Sequence, residues 1–163
     1  MGTLMRHGRV EATTTARPEQ VWAVLSDIGR IGEWSHECHN ATWLGEATAP
    51  VVGARFVGGN SVGRTRWLRT NEIIVADAPR QLAWRTVPSR LYRDSTEWHI
   101  VLEPHDGGTR IVQTFTVLKL NPVADRLIYA FVKAHRNRLA ALSGDVERLG
   151  RVAASATVSA TAP

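Results

Sequence analysis

Between residues 40 and 119 the sequence is a long series of strand-like runs, and this feature most constrains the fold. The runs are rich in β-branched and aromatic residues, and the clearest turn-forming segments between them are VGGNSVG, DAPRQ and PHDGGT. Strands that follow one another through short turns pair as an antiparallel meander. Such a sheet has an apolar face that another layer must cover, so the rest of the chain has to supply that layer.

The residues before this region predict one further strand and two short helices. Residues 10–15, VEATTT, alternate in the manner of a strand. Pro18 then marks the start of a short helix whose apolar residues recur at helical spacing. Gly29 and Gly32 set off a second short helical turn, which ends at Trp34.

The residues after the strand-like region predict one long helix. Pro122 suits the first turn of this helix, and the helical pattern continues to Gly150. Its apolar residues are spaced three and four apart, so they form one stripe that fits the open face of the sheet. This stripe contains Ile128, Phe131, Leu139, Leu142, Val146 and Leu149.

These elements predict an α+β fold in which a curved antiparallel sheet of about six to seven strands wraps around the C-terminal helix. With 163 residues in total, we expect one domain over residues 1–150. The small and polar residues of 151–163 predict a disordered tail. Curling a sheet around one helix leaves a hollow, and ligand sites of this kind are apolar with a few placed polar groups.

Charge and composition favour a cytoplasmic protein and disfavour several function classes, and they leave open whether it is a monomer or a homodimer. The net charge is +5, but the basic residues are scattered and form no nucleic-acid-binding motif, so we expect no nucleic-acid partner. No apolar run approaches the ~18 residues that cross a bilayer, so we expect no stable membrane insertion. The chain has one cysteine, and its N-terminus lacks the apolar core of a signal peptide.

The stretch RPEQVWAVLSDIGRIGEWS resembles the opening of the START/Bet v1-like (SRPBCC) superfamily. The later stretches ADAPRQLAWRT and LEPHDGGTRIVQTF are similar to hairpins of that family, and the resemblance covers residues 10–149. Its nearest branch resembles the bacterial polyketide cyclase/dehydrase and lipid-transport group. The resemblance implies a helix-grip fold with a hydrophobic cavity between the sheet and the C-terminal helix.

The stretch IGEWSHECHN concentrates reactive side chains, because it holds His36, Cys38 and His39. A zinc site could use all three, but the chain has no second cluster of Cys and His to complete it. A nucleophilic Cys38 would need an activating base and a lowered pKa. We favour a third interpretation, a loop near the cavity mouth, as the family resemblance implies, and we expect no metal and no cofactor.

Alternation along the strands predicts which side chains face the hollow. In residues 67–75, every second residue from Trp67 onward belongs to the more apolar set, so this set is expected to face the hollow and it includes Arg69. A buried guanidinium needs an acidic partner, water or a ligand oxygen. The tryptophans of the set are more typical of plain core than of a ligand wall, and an inward His135 is typical of a core histidine bonded to a backbone carbonyl. The predicted ligand-binding set is Trp67, Arg69, Asn71, Trp84, Trp98, Gln113, Phe115, Phe131, His135 and Leu139.

Two functions fit this set. The first is binding or transfer of a hydrophobic small molecule such as a lipid or polyketide, with Arg69 or His135 orienting its polar group. The second is a polyketide aromatase/cyclase-like enzyme, in which Arg69 polarises a ketone and His135 moves a proton. Cyclases of the family use an arginine on a comparable strand, and that position lies nearer Asn71 than Arg69. An interaction domain that regulates chaperones or toxins has no supporting motif.

Overall fold

A computed structural model of the protein describes residues 5–91, 93–119 and 138–160. These residues form seven strands, two α-helices and one 3-10 helix. The strands are β1 His7–Thr14, β2 Cys38–Trp43, β3 Arg55–Val62, β4 Thr65–Asp77, β5 Gln81–Thr86, β6 Ser95–His105 and β7 Gly108–Lys119. The helices are α1 Pro18–Leu25, the 3-10 helix Ile28–Glu33 and α2 Arg138–Ala160.

All seven strands form one antiparallel sheet in the order β1-β7-β6-β5-β4-β3-β2. The meander from β2 to β7 is continuous, and β1 pairs with the last strand. Because β1 and β2 lie at opposite edges, α1 and the 3-10 helix must cross the sheet between them. The predicted helix-grip architecture is confirmed, including the two short helices after the first strand.

Two of the three predicted turns are confirmed and the third is corrected. DAPRQ and PHDGGT contain the β4–β5 and β6–β7 turns. In VGGNSVG, however, residues 57–62 continue β3, and the turn is confined to Gly63 and Arg64. Gly63 has a φ of 59°, the left-handed conformation that glycine adopts without cost. Gly58 lies inside the strand, and a Cβ there would lie 3.0 Å from the Sγ of Cys38, so glycine lets β2 and β3 pack closely at this point.

The two short helices begin where local chemistry favours a helix start. Pro18 occupies the first turn of α1, and the Gln20 side chain accepts a hydrogen bond of 2.7 Å from the backbone N–H of Arg17. Asp27 caps the 3-10 helix by accepting a hydrogen bond of 3.1 Å from the backbone N–H of Gly29. Both helices bury their apolar residues in the core, namely Val21, Val24, Leu25, Ile28 and Ile31.

The C-terminal helix covers the concave face of the sheet with the predicted stripe. Leu142, Val146 and Leu149 are buried, whereas the predicted helical residues 122–137, with Ile128 and Phe131, lie outside the described residues. The prediction of a disordered tail is wrong for residues 151–160, which continue the helix. Alanine is the best helix former, and Ala153 is 1% exposed in the core, so this segment gains burial as well. None of the helices in the described part of the chain is long and apolar enough to span a membrane.

The direction of α2 distinguishes two ends of the sheet. A Cβ on Gly8, near the start of β1, would meet Leu139 at the beginning of α2. At the other end of β1, the hydroxyl of Thr14 donates a hydrogen bond of 2.9 Å to the carbonyl of Gly150. We call the end at which α2 begins the rim end and the opposite one the far end. At the rim end β1, β2, β4 and β6 begin, and β3, β5 and β7 end.

Candidate functional site

Arg138 brings a cation to the concave face at the rim end. Its guanidinium carbon lies 4.5 Å from the ring centre of Phe115 and 5.0 Å from that of Trp98. These two rings contact each other across β6 and β7, with centroids 5.6 Å apart. A cation over aromatic faces is stabilised by the negative face of each ring, by roughly 0.5–2 kcal/mol. Phe115 and Trp98, both predicted site residues, therefore form a platform under Arg138.

No carboxylate of the described residues forms an ion pair or hydrogen bond with the Arg138 guanidinium. Burial lowers the pKa of Arg138, and the attraction of Glu37 and Asp94 partly opposes this effect. An arginine remains charged at neutral pH despite such a shift. A half-buried cation without a contacting anion is costly, so an anion bound at this position would be stabilised by it.

Gln113 places a second polar group on the same face of β7 as Phe115. Its side chain is 4% exposed, and it lies beside Ile100 on β6 and Val10 on β1. The Oε1 of Gln113 is buried and has no hydrogen-bond donor among the described residues. A buried carbonyl oxygen without a donor costs about 1–3 kcal/mol, so a ligand hydroxyl there would be favoured.

Arg69 lies on the concave face, as the alternation of β4 predicts, and its acidic partner is Asp94. The Nη1 of Arg69 lies 2.9 Å from the Oδ1 of Asp94, and Nη2 donates a hydrogen bond of 3.1 Å to the Asp94 carbonyl. The Arg69 side chain is only 12% exposed. This pair fixes the guanidinium and neutralises much of its charge, so Arg69 is a weaker anion site than Arg138.

The remaining predicted residues on the strands follow the expected parity. Asn71 is buried, and its Nδ2 donates to the carbonyl of Arg69 at 3.3 Å. Trp84 packs edge-on against Phe56, with ring centroids 6.4 Å apart, and is part of the wall of the core. Trp67 pairs in register with Asn60 near the rim end and is half-buried.

The predicted residues of the helix divide into two groups. Leu139 is half-buried and lies near Gly8, at the same end as Phe115. His135 and Phe131 lie outside the described residues. Their roles stay predictions, and His135 remains a candidate for orienting a ligand or moving a proton.

The reactive stretch is attached to the C-terminal helix through Asp145. The Nδ1 and the backbone N–H of His36 donate to the two oxygens of the Asp145 carboxylate, at 2.7 and 2.9 Å. Arg148 bonds the same carboxylate and donates from Nε to the carbonyl of Trp34 at 2.9 Å. Asp145 is 3% exposed, so its charge is compensated by these donors. The hydrogen bond from Asp145 raises the pKa of His36, although burial acts in the opposite direction.

The three side chains of the predicted loop point to different surroundings. His36 faces Asp145, whereas Cys38 and His39 already belong to β2, and His39 is exposed. The Sγ of Cys38 donates to the carbonyl of Asn40 at 3.3 Å, and burial raises the thiol pKa to about 11. A pKa this high is the opposite of what an activated thiol needs. Within the described ranges, no three His, Cys, Asp or Glu side chains are grouped to hold a metal ion.

The sequence contained a signal for Arg138 that the predicted set omitted. Arg138 lies four residues before Leu142, so helical spacing puts it on the buried stripe. The predicted helix residues were mainly apolar ones, and an arginine on that stripe is the more informative exception.

Solved structures from several bacteria share this fold. A protein from Thermus thermophilus is 18% identical with a TM-score of 0.67, over 92% of this chain and 98% of that one. A protein from Arthrobacter aurescens is 16% identical with a TM-score of 0.66, over 92% of this chain and 87% of that one. A Polyketide_cyc-like protein from Corynebacterium glutamicum is 28% identical with a TM-score of 0.56, over 95% of this chain and 93% of that one.

No curated protein matches the sequence. The family described as "Polyketide cyclase / dehydrase and lipid transport" matches residues 5–147, which is most of the chain. This range includes the Arg138 platform and the His36–Asp145 contact. With its seven-stranded sheet and covering C-terminal helix, the chain therefore belongs to the polyketide cyclase/dehydrase and lipid-transport family of the SRPBCC superfamily.

Proposed function

We propose that the chain binds a lipophilic small molecule that carries one acidic group, and that Arg138 receives this group. The observation that carries the proposal is the Arg138 guanidinium, which lies over Trp98 and Phe115 without a contacting carboxylate from the described residues. The apolar part of the ligand would lie along the concave face between the sheet and the C-terminal helix. Family membership supports a lipophilic ligand, because the family description includes both polyketide chemistry and lipid transport.

The geometry of Arg138 suits a carboxylate better than a neutral group. The guanidinium has five N–H donors, and no carboxylate of the described residues engages them while its carbon lies 4.5 and 5.0 Å from the two ring centres. Two such donors match the two oxygens of a carboxylate, and charge-assisted bonds of this kind are about twice as strong as neutral ones. The cost of removing the Arg138 guanidinium from water falls on folding and not on binding. A bound anion therefore meets a cation that is already in place.

The affinity would come mostly from the apolar part of the ligand. Burial of hydrocarbon contributes roughly 25 cal/mol per Å² before the costs of ordering are subtracted. The polar groups then select among lipophilic molecules. Arg138 selects for an acid, and the Oε1 of Gln113 can accept a hydrogen bond from a hydroxyl.

A pair of probes that differ only in charge tests the proposal. Oleic acid and oleyl alcohol share one hydrocarbon chain, and their affinities can be measured by calorimetry with Arg138→Met and with the control Arg151→Met. Arg151 is exposed on the same helix. We expect Arg138→Met to weaken oleic acid about tenfold or more while changing oleyl alcohol little. Equal losses for both probes, or an equal effect of the control, would contradict the head-group role of Arg138.

A polyketide aromatase/cyclase-like activity is the second candidate, and the same arginine favours it. A guanidinium without a contacting carboxylate can stabilise the developing charge on an enolate oxygen as well as a carboxylate. The discriminating experiment is incubation with a poly-β-keto thioester followed by mass spectrometry of the products. Cyclised product that disappears with both Arg138→Met and His135→Ala would support the enzyme; no product would leave binding alone.

A further inference from the structure

The rim end of the sheet carries a ring of exposed cations. They come from the start of β1, the β3–β4 turn and the following strand, the β5–β6 connection and the end of β7. None of them is paired with a carboxylate of the described residues, and Arg138 adds a further positive charge behind them. The six are Arg6, Arg64, Arg66, Arg90, Arg93 and Lys119.

Few carboxylates at this end compensate the ring. Asp94 forms an ion pair with Arg69, at 2.9 Å. Glu37 lies beside His36, with 3.9 Å between Oε2 and Nε2. Glu97 lies beside His99, with 3.8 Å between Oε2 and Nε2. Among the described residues, the six cations of the rim end therefore outnumber its carboxylates.

The far end shows that this excess is not spread evenly over the protein. The arginines at two of its turns are paired with carboxylates. Arg80 bonds Asp77 across the β4–β5 turn, with both oxygens at 3.0 Å. Arg110 bonds the Oε2 of Glu103 at 2.8 Å beside the β6–β7 turn. Among the described residues, exposed arginines without a carboxylate partner are therefore denser at the rim end, where Arg138 also lies, than at the far end, where they include Arg17 and Arg151.

Apolar side chains are exposed among the rim cations. Leu91 is 85% exposed in the β5–β6 connection, between Arg90 and Arg93 in sequence. Leu118 is 51% exposed beside Lys119, and Met5 is 45% exposed at the start of the chain described here. Large apolar side chains at this exposure, interleaved with unpaired cations, match the chemistry of the lipid–water interface.

We propose that the rim end docks on the surface of an anionic phospholipid bilayer. The cations would lie at the level of the lipid phosphates, and Leu91 would enter the boundary of the acyl chains. This goes beyond the proposed ligand binding, because its evidence is the charge and exposure of the rim and not the contacts of Arg138. Docking in this orientation would bring the mouth of the concave face to the membrane, where a lipophilic ligand enters or leaves without crossing water.

Electrostatic attraction explains why several weak contacts suffice. Each basic side chain near an anionic bilayer contributes a small attraction that falls off within a Debye length. Four or more such residues together give reversible binding without a membrane-spanning segment. An acidic protein surface could attract the same cations, but it would give the exposed Leu91 no apolar phase to enter.

Vesicle sedimentation with the full chain tests this proposal. Vesicles of phosphatidylcholine alone are compared with vesicles that also contain phosphatidylglycerol, at low and high salt. The test variant is Arg64→Glu with Arg90→Glu. The control is Arg17→Glu with Arg151→Glu, which makes the same change in net charge at exposed positions away from the rim. We expect the wild type to bind only the anionic vesicles, and the rim variant to lose about tenfold or more in partitioning, with little loss in the control.

A Leu91→Ser variant separates insertion from charge, and we expect it to lose the part of the binding that resists high salt. Failure of the wild type to bind anionic vesicles, or equal losses in rim variant and control, would overturn the proposal. Binding to polyglutamate without binding to vesicles would overturn it in favour of an acidic protein partner. Oleic acid affinity of the same variants is measured in parallel. Vesicle binding without oleic acid binding would defeat the proposed function and leave membrane docking standing.

Discussion

The Nδ1 of His36 lies 2.7 Å from the Oδ2 of Asp145, a contact between residues 109 positions apart in the sequence. Through it, the connection between the 3-10 helix and β2 is tied to the C-terminal helix. Arg148 strengthens the same attachment from the helix side by bonding both Asp145 and the carbonyl of Trp34. The stretch with the most reactive composition in the chain thus acts as an attachment point beside the concave face.

Loss of the Asp145 carboxylate should destabilise the fold. Asp145→Ala leaves three donors of His36 and Arg148 without their acceptor, and we expect the free energy of unfolding to fall by about 2–3 kcal/mol. Urea denaturation followed by circular dichroism measures this. Glu147→Ala, an exposed position on the same helix, is the control and should change stability little. Equal effects of the two substitutions would show that the attachment contributes nothing.

The same contact should make stability depend on pH. Because the hydrogen bond with Asp145 raises the pKa of His36 above 6.5, the folded protein binds this proton more tightly than the unfolded chain does. The resulting stabilisation is fully present below pH 6.5 and is lost as pH rises through the raised pKa. The urea concentration at the midpoint of unfolding should therefore fall more steeply between pH 5 and pH 9 in the wild type than in His36→Gln. His39→Gln, which changes an exposed neighbour, should keep the wild-type profile.

Cys38 should react slowly with thiol reagents. With a pKa of about 11, roughly one thiol in ten thousand is ionised at pH 7, and the thiolate is the reactive form. We expect labelling by iodoacetamide to be about a hundredfold slower in the folded protein than in urea. Similar rates in both states would mean that Cys38 is activated, which would reopen thiol chemistry.

Arg69 and Asp94 should be coupled in stability. A double-mutant cycle with Arg69→Ala and Asp94→Ala is expected to give a coupling energy of about 1 kcal/mol, because the ion pair is only partly buried. Arg69→Ala should change the affinity for oleic acid and the affinity for oleyl alcohol by similar factors. A loss confined to oleic acid would instead make Arg69 the acid-binding residue, as the sequence first suggested.

Gly8 should tolerate no side chain. A Cβ there would lie 2.6 Å from a ring carbon of Phe115 and 2.8 Å from Leu139, so Gly8→Ala must displace the ring under Arg138. We expect a loss of about 1–2 kcal/mol in stability together with weaker binding of oleic acid. His7→Ala, at the exposed neighbouring position, is the control for thermal denaturation. An unchanged melting temperature for Gly8→Ala would mean that Phe115 moves without cost.

Local pattern determined the elements of this protein. Alternation in the strands identified the inward parity of β4, β6 and β7, and Pro18 marked the start of the first helix. These features depend on residues that are close together in the chain. The spacing of apolar residues there follows from the geometry of strands and helices. The turn predicted over residues 57–63 is confined to its last residue, Gly63, because Gly58 and Gly59 serve close packing of β3 against Cys38 and Asn40 of β2. The helix continues beyond residue 150 for a reason that local pattern does not show, because Ala153 is buried against the distant core.

The sheet, the helix that covers it and the concave face between them follow from hydrophobic periodicity, which is a local property of the chain. Which charges on that face are neutralised is visible only once the chain is folded. Arg69 has Asp94 as its partner, whereas Arg138 lies over aromatic rings without a contacting carboxylate from the described residues. Such pairings depend on the register of the C-terminal helix over the sheet, which no short segment of sequence encodes.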